Sequence, residues 1–498
     1  MNAIGEIVNI MDNLDKKAFE GFLKGNNKRA DVQNIKLFKL LETDDIITIN
    51  KIYGINNGAY HALNKRLYDN LVLFMANRTF VNATGEAHEV LRLLVVSRLF
   101  LEHKLAKTAF KCLAKAETKA LELEHFSLLN EIYHTQIQYA HLLPTLSLDS
   151  VIEKFADNTE KLRREEQLNI GYALLRRELA EITHKGKVID FREFIMGTVN
   201  RLGISLNEAL TFKSLYQILF IANEYASLNS NFTLVEPFVQ KSYNFIAGKE
   251  EMAGKQLYYH IYILYFMANI HFRNRRFAES EAVLGVMLTQ MQQQNNRYYA
   301  LFSLRYFLML SLNKNYNGDP AGAIAVAEKA LSNAGKKADV SDVHDLRLAI
   351  IVFCLLQEDR SVSKYMRQYV HTDSWYEKKL GMLYAIRKSL VEILMHIQFE
   401  NTELALSRLK SFKRRYKKYL AEVNESRVMN YTALLERYVL KPEIAATAHF
   451  KQTLEAMVQP GITEDIFVLS FIGWMLAKAG KKSPYNVTLA LINANMVK

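Results

Sequence analysis

Seven cations and no acid stand in the segment RLKSFKRRYKKYL, Arg408 to Leu420. On a helix, Leu409, Phe412, Tyr416 and Tyr419 share an inward stripe, while Lys410, Lys413, Arg414, Lys417 and Lys418 spread over the outer face. Contiguous cations meet carboxylates or release counterions from a nucleic acid backbone, so this basic strip is a candidate anion-binding surface. The plainer alternative is a solvated helix face.

A second constellation lies between Thr43 and Leu67. Ile49, Gly54, Ile55, Tyr60 and Leu63 stand where a helix-turn-helix needs an apolar first helix, a turn glycine, an apolar residue after it and two core contacts on the second helix. The segment resembles that motif. Asn56, Asn57, His61, Asn64 and Lys65 would then be the DNA-contacting residues, since Asn reads adenine with two hydrogen bonds in the major groove. Against this, Asn50 takes the site where the helices cross, and Gly58 weakens the start of the second helix. Residues 1–85 also carry 11 Lys plus Arg against 9 Asp plus Glu, a small share of the formal charge of +12. A purely structural helix pair is the competing reading.

Signatures of catalysis and metal binding are missing. The sequence has no HExxH, no glycine-rich phosphate loop and no Gly-x-Ser-x-Gly elbow. His134 and His141 lie two helical turns apart without a carboxylate or Cys partner, which reads as core or groove histidines. Glu165 and Glu166 abut Arg163 and Arg164, a surface ion-pair cluster. Cys112 and Cys354 sit alone in apolar stretches and read as buried free thiols. No enzyme activity, metal or cofactor is expected.

The elements that position these residues are helical. With 50% hydrophobic residues, 6 Pro and 20 Gly in 498, the chain has ample apolar surface and too little turn chemistry for an all-β fold. Residues 1–10 hold no Lys or Arg and no cleavage-like end, so a secretory signal is not expected and a reducing, cytoplasmic setting is. The apolar charge-free stretches Leu257 to Phe272 and Ile466 to Ala477 are shorter than the ~18–20 apolar residues of a spanning helix, so no membrane insertion is expected. Residues 1–85 read as a small helical N-terminal module: Ile4, Ile7, Val8 and Met11 form one stripe, Phe19, Phe22 and Leu23 a second, Tyr60, Leu63, Leu67, Leu71 and Phe74 a third. Beyond residue 86 nearly every window is amphipathic helix. Turn centres near Leu105, Leu146, Val188, Phe232, Phe277, Pro320, Val362 and Thr402 are 40–45 residues apart. Such helix pairs cannot bury their apolar faces alone and must stack on their neighbours.

The best copy runs from Leu264 to Leu288, with Met267 and Ala268 in its first helix and Phe277, Ser280, Leu284 and Met287 in its second. In the next copy Ala323, Ala327 and Ala330 form a small-residue stripe on one face. These stretches and Leu390 to Phe412 resemble tetratricopeptide repeats, and the chain is similar to bacterial helical-repeat proteins with a small helical N-terminal module. It departs from the pattern in lacking the first-helix Trp, the close-packing Gly and most closing Pro residues, and its period exceeds the ~34 residues of the standard repeat. The resemblance implies an all-α, superhelical array of antiparallel helix pairs, a tetratricopeptide-like α-solenoid, over residues 86–460, with C-terminal capping helices at 461–498. It further implies that first-helix side chains line the concave groove, among them Asn269, Arg273, Arg305 and Arg387. The aromatic run Leu257 to Phe266 reads as inter-repeat core, with some rings lining the groove.

The expected function is a non-catalytic protein–protein interaction scaffold. It would bind a protein or extended, acidic peptide through the concave groove or the basic strip. The alternative is a cytoplasmic DNA-binding transcription regulator, with an N-terminal helix-turn-helix and a repeat region that senses a peptide or dimerises.

Overall fold

The computed structural model of the chain describes all residues except 1–2, 12, 26–31, 44–45, 54–57, 83–85, 186–189, 205–210, 229–231, 336–337, 424, 458–464 and 495–498. Among the described residues the regular structure is entirely helical, with no strand. None of these helices is long and apolar enough to cross a membrane. The chain divides into two compact units, Met1–Asn158 and Thr159–Lys498, and the division falls inside the Leu148–Lys185 helix.

In the first unit, the helices Ala3–Ile10, Asn13–Gly25, Val32–Glu42 and Gly58–Asn82 close around one core. Leu67, Leu71 and Phe74, at steps of 4 and 3, put the buried side of the long helix against Phe19 and Phe38. Phe19 meets Phe38 and Phe74 edge-on, with ring centroids 5.0 and 5.2 Å apart, a geometry favoured by the aromatic quadrupole. The Glu86–Glu102, Ala106–Glu122 and Phe126–Gln138 helices follow as antiparallel neighbours, with Ala109, Leu113, Ala116 and Ala120 buried along one stripe.

The second unit is built on a row. The helices Phe212–Leu228, Leu257–Arg273, Tyr299–Tyr316, Val340–Leu356 and Met382–Gln398 begin 45, 42, 41 and 42 residues apart, and each packs on the next. Between them lie the partner helices Glu236–Gly248, Phe277–Met291 and Pro320–Ser332, with the short Val362–Met366 and Asp373–Leu380 helices in the last gap, and Thr402–Glu422 follows the fifth helix of the row. Buried Ala323, Ala327 and Ala330 let Pro320–Ser332 approach Tyr299–Tyr316 closely. Buried Ser280 clasps two neighbours: its hydroxyl donates to the Ala268 carbonyl at 2.9 Å and accepts from Asn313 Nδ2 at 3.0 Å. The aromatic run does form inter-helix packing, with Tyr262 edge-on to Phe302 at 4.6 Å and 5.0 Å from Tyr216.

Of the expected turn centres, Leu105 and Leu146 fall in turns, while Phe232, Phe277, Pro320, Val362 and Thr402 open the next helical segment. Val188 lies outside the described residues. One interval is not a helix pair: a single helix runs from Leu148 to Lys185, because its Glu, Lys, Arg, Leu and Ala are strong helix formers and nothing in it breaks the helix. Gly171, midway, serves close packing instead, since a Cβ there would overlap the Ile204 side chain.

Eight helix ends among the described residues close alike, two of them at Ile204 and Lys482 after Gly203 and Lys481, and the other six as follows. The N–H groups of Leu105, His125, Arg276, Asp319, Asp359 and Asn401 each reach a carbonyl five residues back at 2.8–3.0 Å. The preceding residue is left-handed each time: Lys104, Glu124, Arg275, Gly318, Glu358 and Glu400. This is a Schellman closure, in which a single left-handed residue lets the chain double back and satisfies carbonyls left open at the helix end.

The helices Ile466–Gly480 and Pro484–Ala494 form a tight hairpin, in which a Cβ on Gly473 would collide with Thr488. This hairpin touches elements far back in the sequence. Tyr316 and Ser470 share a hydrogen bond of 2.9 Å, Trp474 Nε1 donates to Gln398 Oε1 at 2.5 Å, and the Tyr485 hydroxyl donates to the Asn315 carbonyl at 2.5 Å. Trp474 and Met475 are fully buried among the 340–440 helices.

Candidate functional site

Each helix of the row contributes polar groups to one electrostatic neighbourhood. Asn223 and Glu224 come from Phe212–Leu228; Tyr262, Tyr265, Asn269 and Arg273 from Leu257–Arg273. Tyr299–Tyr316 supplies Arg305, Val340–Leu356 supplies Asp342 and Asp345, and Met382–Gln398 supplies Arg387. Asn269 Nδ2 donates to Asn223 Oδ1 at 2.7 Å, so these amides bridge adjacent helices of the row.

Arg273 and Arg305 are both engaged internally. Arg273 pairs with Asp465, at the N-cap of the Ile466–Gly480 helix, and its guanidinium lies over the rings of Phe232 and Phe467 at 5.1 and 4.7 Å. Arg305 Nε donates to both Asp342 carboxylate oxygens at 3.0 and 3.1 Å, and its Nη1 donates to the Tyr262 hydroxyl at 2.5 Å. Desolvation would lower the Arg305 pKa, but the charge and hydrogen bonding of Asp342 together with the Tyr262 and Tyr265 hydroxyls outweigh it and hold the guanidinium above its ordinary value.

Arg387 differs. It is exposed to solvent and has no ion pair or hydrogen bond among the described residues. Protein nevertheless crowds around it, and the resulting desolvation pulls its pKa below the ordinary value, with Arg273 acting in the same direction and Asp465 and Asp345 opposing. An open guanidinium crowded by protein has donors available for a carboxylate or another anion. Beside it, half-buried Asp345 is pushed up from 3.8 to about 6 by desolvation, against the pull of Arg387. Desolvation also pushes half-buried Tyr265 up to about 12, and raises Glu224 above the usual carboxylate range. The neighbourhood therefore offers one open guanidinium, two carboxyl groups that resist ionisation and a tyrosine hydroxyl.

The basic strip is partly neutralised, by acids from other helices and by Glu422 of its own. Arg408 reaches Glu392 at 2.7 Å, Lys413 pairs with Glu436, Arg415 grips Glu377 with two donors, and Lys418 lies 3.8 Å from Glu422. Lys410, Arg414 and Lys417 are exposed and have no ion pair among the described residues. Leu409, Phe412 and Tyr416 are buried as the periodicity expects, and Tyr419 is half-buried.

Of the helix-turn-helix candidates, Asn56 and Asn57 lie outside the described residues. His61 and Lys65 are exposed and Asn64 is half-buried on the Gly58–Asn82 helix. That helix packs chiefly on Ala3–Ile10, Asn13–Gly25 and Val32–Glu42, whereas Ile46–Tyr53 packs on Val32–Glu42 and meets the long helix through the Tyr53 and Tyr60 rings, 6.2 Å apart.

Other expectations are corrected. His134 and His141 are exposed, not core or groove residues. Arg163 pairs with Glu160, and Glu165 turns instead to Lys213 at 3.0 Å, a partner 48 residues away. Cys354 is buried, with its thiol pushed up to about 11 by desolvation, while Cys112 is only half-buried. Among the described residues no group of His, Cys, Asp and Glu is placed to hold a metal ion. Sequence reasoning missed Asp342, Asp345, Asp465, Tyr265 and Glu224. Asp345 lies 40 residues after Arg305 and 42 before Arg387, close to the row's spacing, and that spacing was the available signal. No protein-family model matches the chain, and no curated protein matches it.

Proposed function

We propose that the chain is a non-catalytic scaffold, a superhelical, tetratricopeptide-like array whose row of first helices forms the wall of a groove that holds an extended, acidic segment of a protein partner. The observation that carries this reading is the contrast along the row: Arg273 and Arg305 are tied to aspartates, while Arg387 stands open. The paired arginines fix the wall, and the open one supplies the anchor for a carboxylate. A wall stiffened by Arg305, Asp342 and Tyr262 loses little conformational freedom when a segment docks, which favours affinity from few contacts. Tyr265 and the amides of Asn223 and Asn269 lie within the same row and suit the backbone of such a segment.

The test is an array of acidic, neutral and basic peptides probed with the full chain, followed by fluorescence anisotropy on the best binder. Arg387→Gln is expected to weaken an acidic peptide about tenfold, the scale of one lost charge-assisted contact, while circular dichroism and Tm stay unchanged. Equal affinity of the wild type and Arg387→Gln for every acidic peptide that binds removes the groove reading.

A further inference from the structure

A cleft that Arg387 does not line lies between the last helix of the row, Met382–Gln398, the Thr402–Glu422 helix and the turn that starts the Asp373–Leu380 helix. It has two adjoining lobes of about 360 and 340 Å³ that share Asp373, Glu392, Arg408 and Arg415. Its base is already satisfied: Lys388, 5% exposed, donates to Asp373 at 3.0 Å and Glu392 at 2.9 Å. Glu392 also takes Arg408, and Glu377 takes two donors of Arg415. The carboxylates are thus in use, whereas each guanidinium has five N–H donors and keeps some beyond these contacts. Arg414, which lines the second lobe, has no ion pair among the described residues. The hydroxyls of Ser389, Ser411 and Tyr416 add to the donors there. Tyr416 is 1% exposed, and its hydroxyl has no hydrogen-bond partner at normal geometry, although Ser389 and Glu377 are nearby. Ser389 and Glu377 are within reach of this hydroxyl but serve it with poor geometry, so an acceptor supplied from the cleft would complete a hydrogen bond that the fold does not.

We propose that this cleft binds a phosphate monoester, whose oxygens are taken by Arg408, Arg414, Arg415 and the Tyr416 hydroxyl. Four cations and two carboxylates line the lobes; with Glu377 held on Arg415 a positive excess of one remains, which favours an anion such as a monoester, of charge about −1.5 to −2 at neutral pH. A carboxylate presents two oxygens in one plane and serves one guanidinium fork. A tetrahedral group presents three terminal oxygens in different directions, which suits donors arriving from successive turns of one helix and from its neighbour. Each lobe is large enough for the group that carries the ester. The proposal is independent of the groove reading, because Arg387 does not line the cleft.

The experiment is isothermal titration and thermal unfolding of the full chain with inorganic phosphate, against chloride at equal ionic strength. A saturable signal and a rise in Tm specific to phosphate are expected. Arg414→Gln, at an exposed residue without an ion pair, is expected to keep the wild-type Tm in chloride and lose about tenfold in phosphate affinity. Tyr416→Phe keeps the buried ring, is expected to be as stable as wild type or slightly more so in chloride, and loses several-fold in phosphate affinity. Arg387→Gln is expected to bind phosphate as wild type does. O-phosphoserine and a phosphoserine peptide then distinguish the two sources: tighter binding of the peptide identifies a partner's modified side chain, and tighter binding of the free ester identifies a small molecule. A phosphate response no larger than that to chloride, or one unaltered in both Arg414→Gln and Tyr416→Phe, overturns the proposal.

Discussion

Replacing Asp345 by Asn tests the electrostatics of the row directly. Asp345 is faced by Arg387 from Met382–Gln398 and Arg305 from Tyr299–Tyr316, which favour its charge. Asp342 and Asp339 disfavour it, and the surrounding protein desolvates it. Desolvation prevails and raises the carboxyl from 3.8 to about 6. A carboxyl whose folded pKa lies above its unfolded value binds its proton more tightly in the native state. Its contribution to stability is therefore complete below pH 4 and is lost as pH rises through about 6. At ~1.4 kcal/mol for each tenfold change in proton affinity, the loss is at most about 3 kcal/mol, and partial contact with water brings it nearer ~2 kcal/mol. Asn has nearly the same shape and does not titrate. Asp345→Asn is thus expected to match wild type at pH 4 and to exceed it by about 2 kcal/mol at pH 7.5. Urea unfolding of both proteins at half-unit pH steps reads the difference, and the titration of other groups cancels. In an Arg387→Gln background the gap is expected to widen, because a cation that favours the charged carboxylate has been removed. A difference that stays flat from pH 4 to 7.5, or an Asp345→Asn protein less stable at pH 7.5, refutes the reasoning: attraction to Arg387 and Arg305 would then outweigh desolvation.

Other consequences can be measured with the same assays. Asp342→Ala leaves Arg305 with only the Tyr262 hydroxyl; with the Arg305 side chain 27% exposed, the expected cost is about 2–3 kcal/mol, toward the low end for a broken buried pair, read by urea unfolding. Glu400→Gly is expected to stabilise by about 1 kcal/mol, because Glu400 sits at φ 61° in the left-handed region where a Cβ is penalised, and a fall in stability would show that its side chain contributes more than the strain costs.

Much of the fold was legible because burial imposes a period. The alanine stripe at 323, 327 and 330 and the inward face at Leu409, Phe412 and Tyr416 could be read from spacing alone, and the structure buries all six. The turns were harder. Their left-handed residues are mostly Lys, Glu and Arg, so a reading that waits for Gly passes over them, even though the backbone turns alike each time. Regularity also over-reached between Leu146 and Val188, where good helix formers carry one helix straight through an expected turn. The site was legible only as a set of first-helix positions. That Arg273 would meet Asp465, 192 residues on, depends on where a distant hairpin packs, and no local pattern carries that information. The ion pairs of the basic strip were hidden for the same reason: the acids Glu377, Glu392 and Glu436 come from other helices.

The hairpin at Ile466–Ala494 changes how this protein must come apart. A stack held only by nearest-neighbour seams unzips from its ends, one pair at a time, and folds quickly because its contacts are short-range. Here the links from Ser470 to Tyr316, Tyr485 to Asn315 and Asp465 to Arg273 close loops of 154, 170 and 192 residues. Each raises the contact order, which slows folding, and each fastens the middle of the row to its last segment. The second unit therefore gains all-or-none cooperativity that a plain stack lacks, and the row of helices cannot fray while the latch holds.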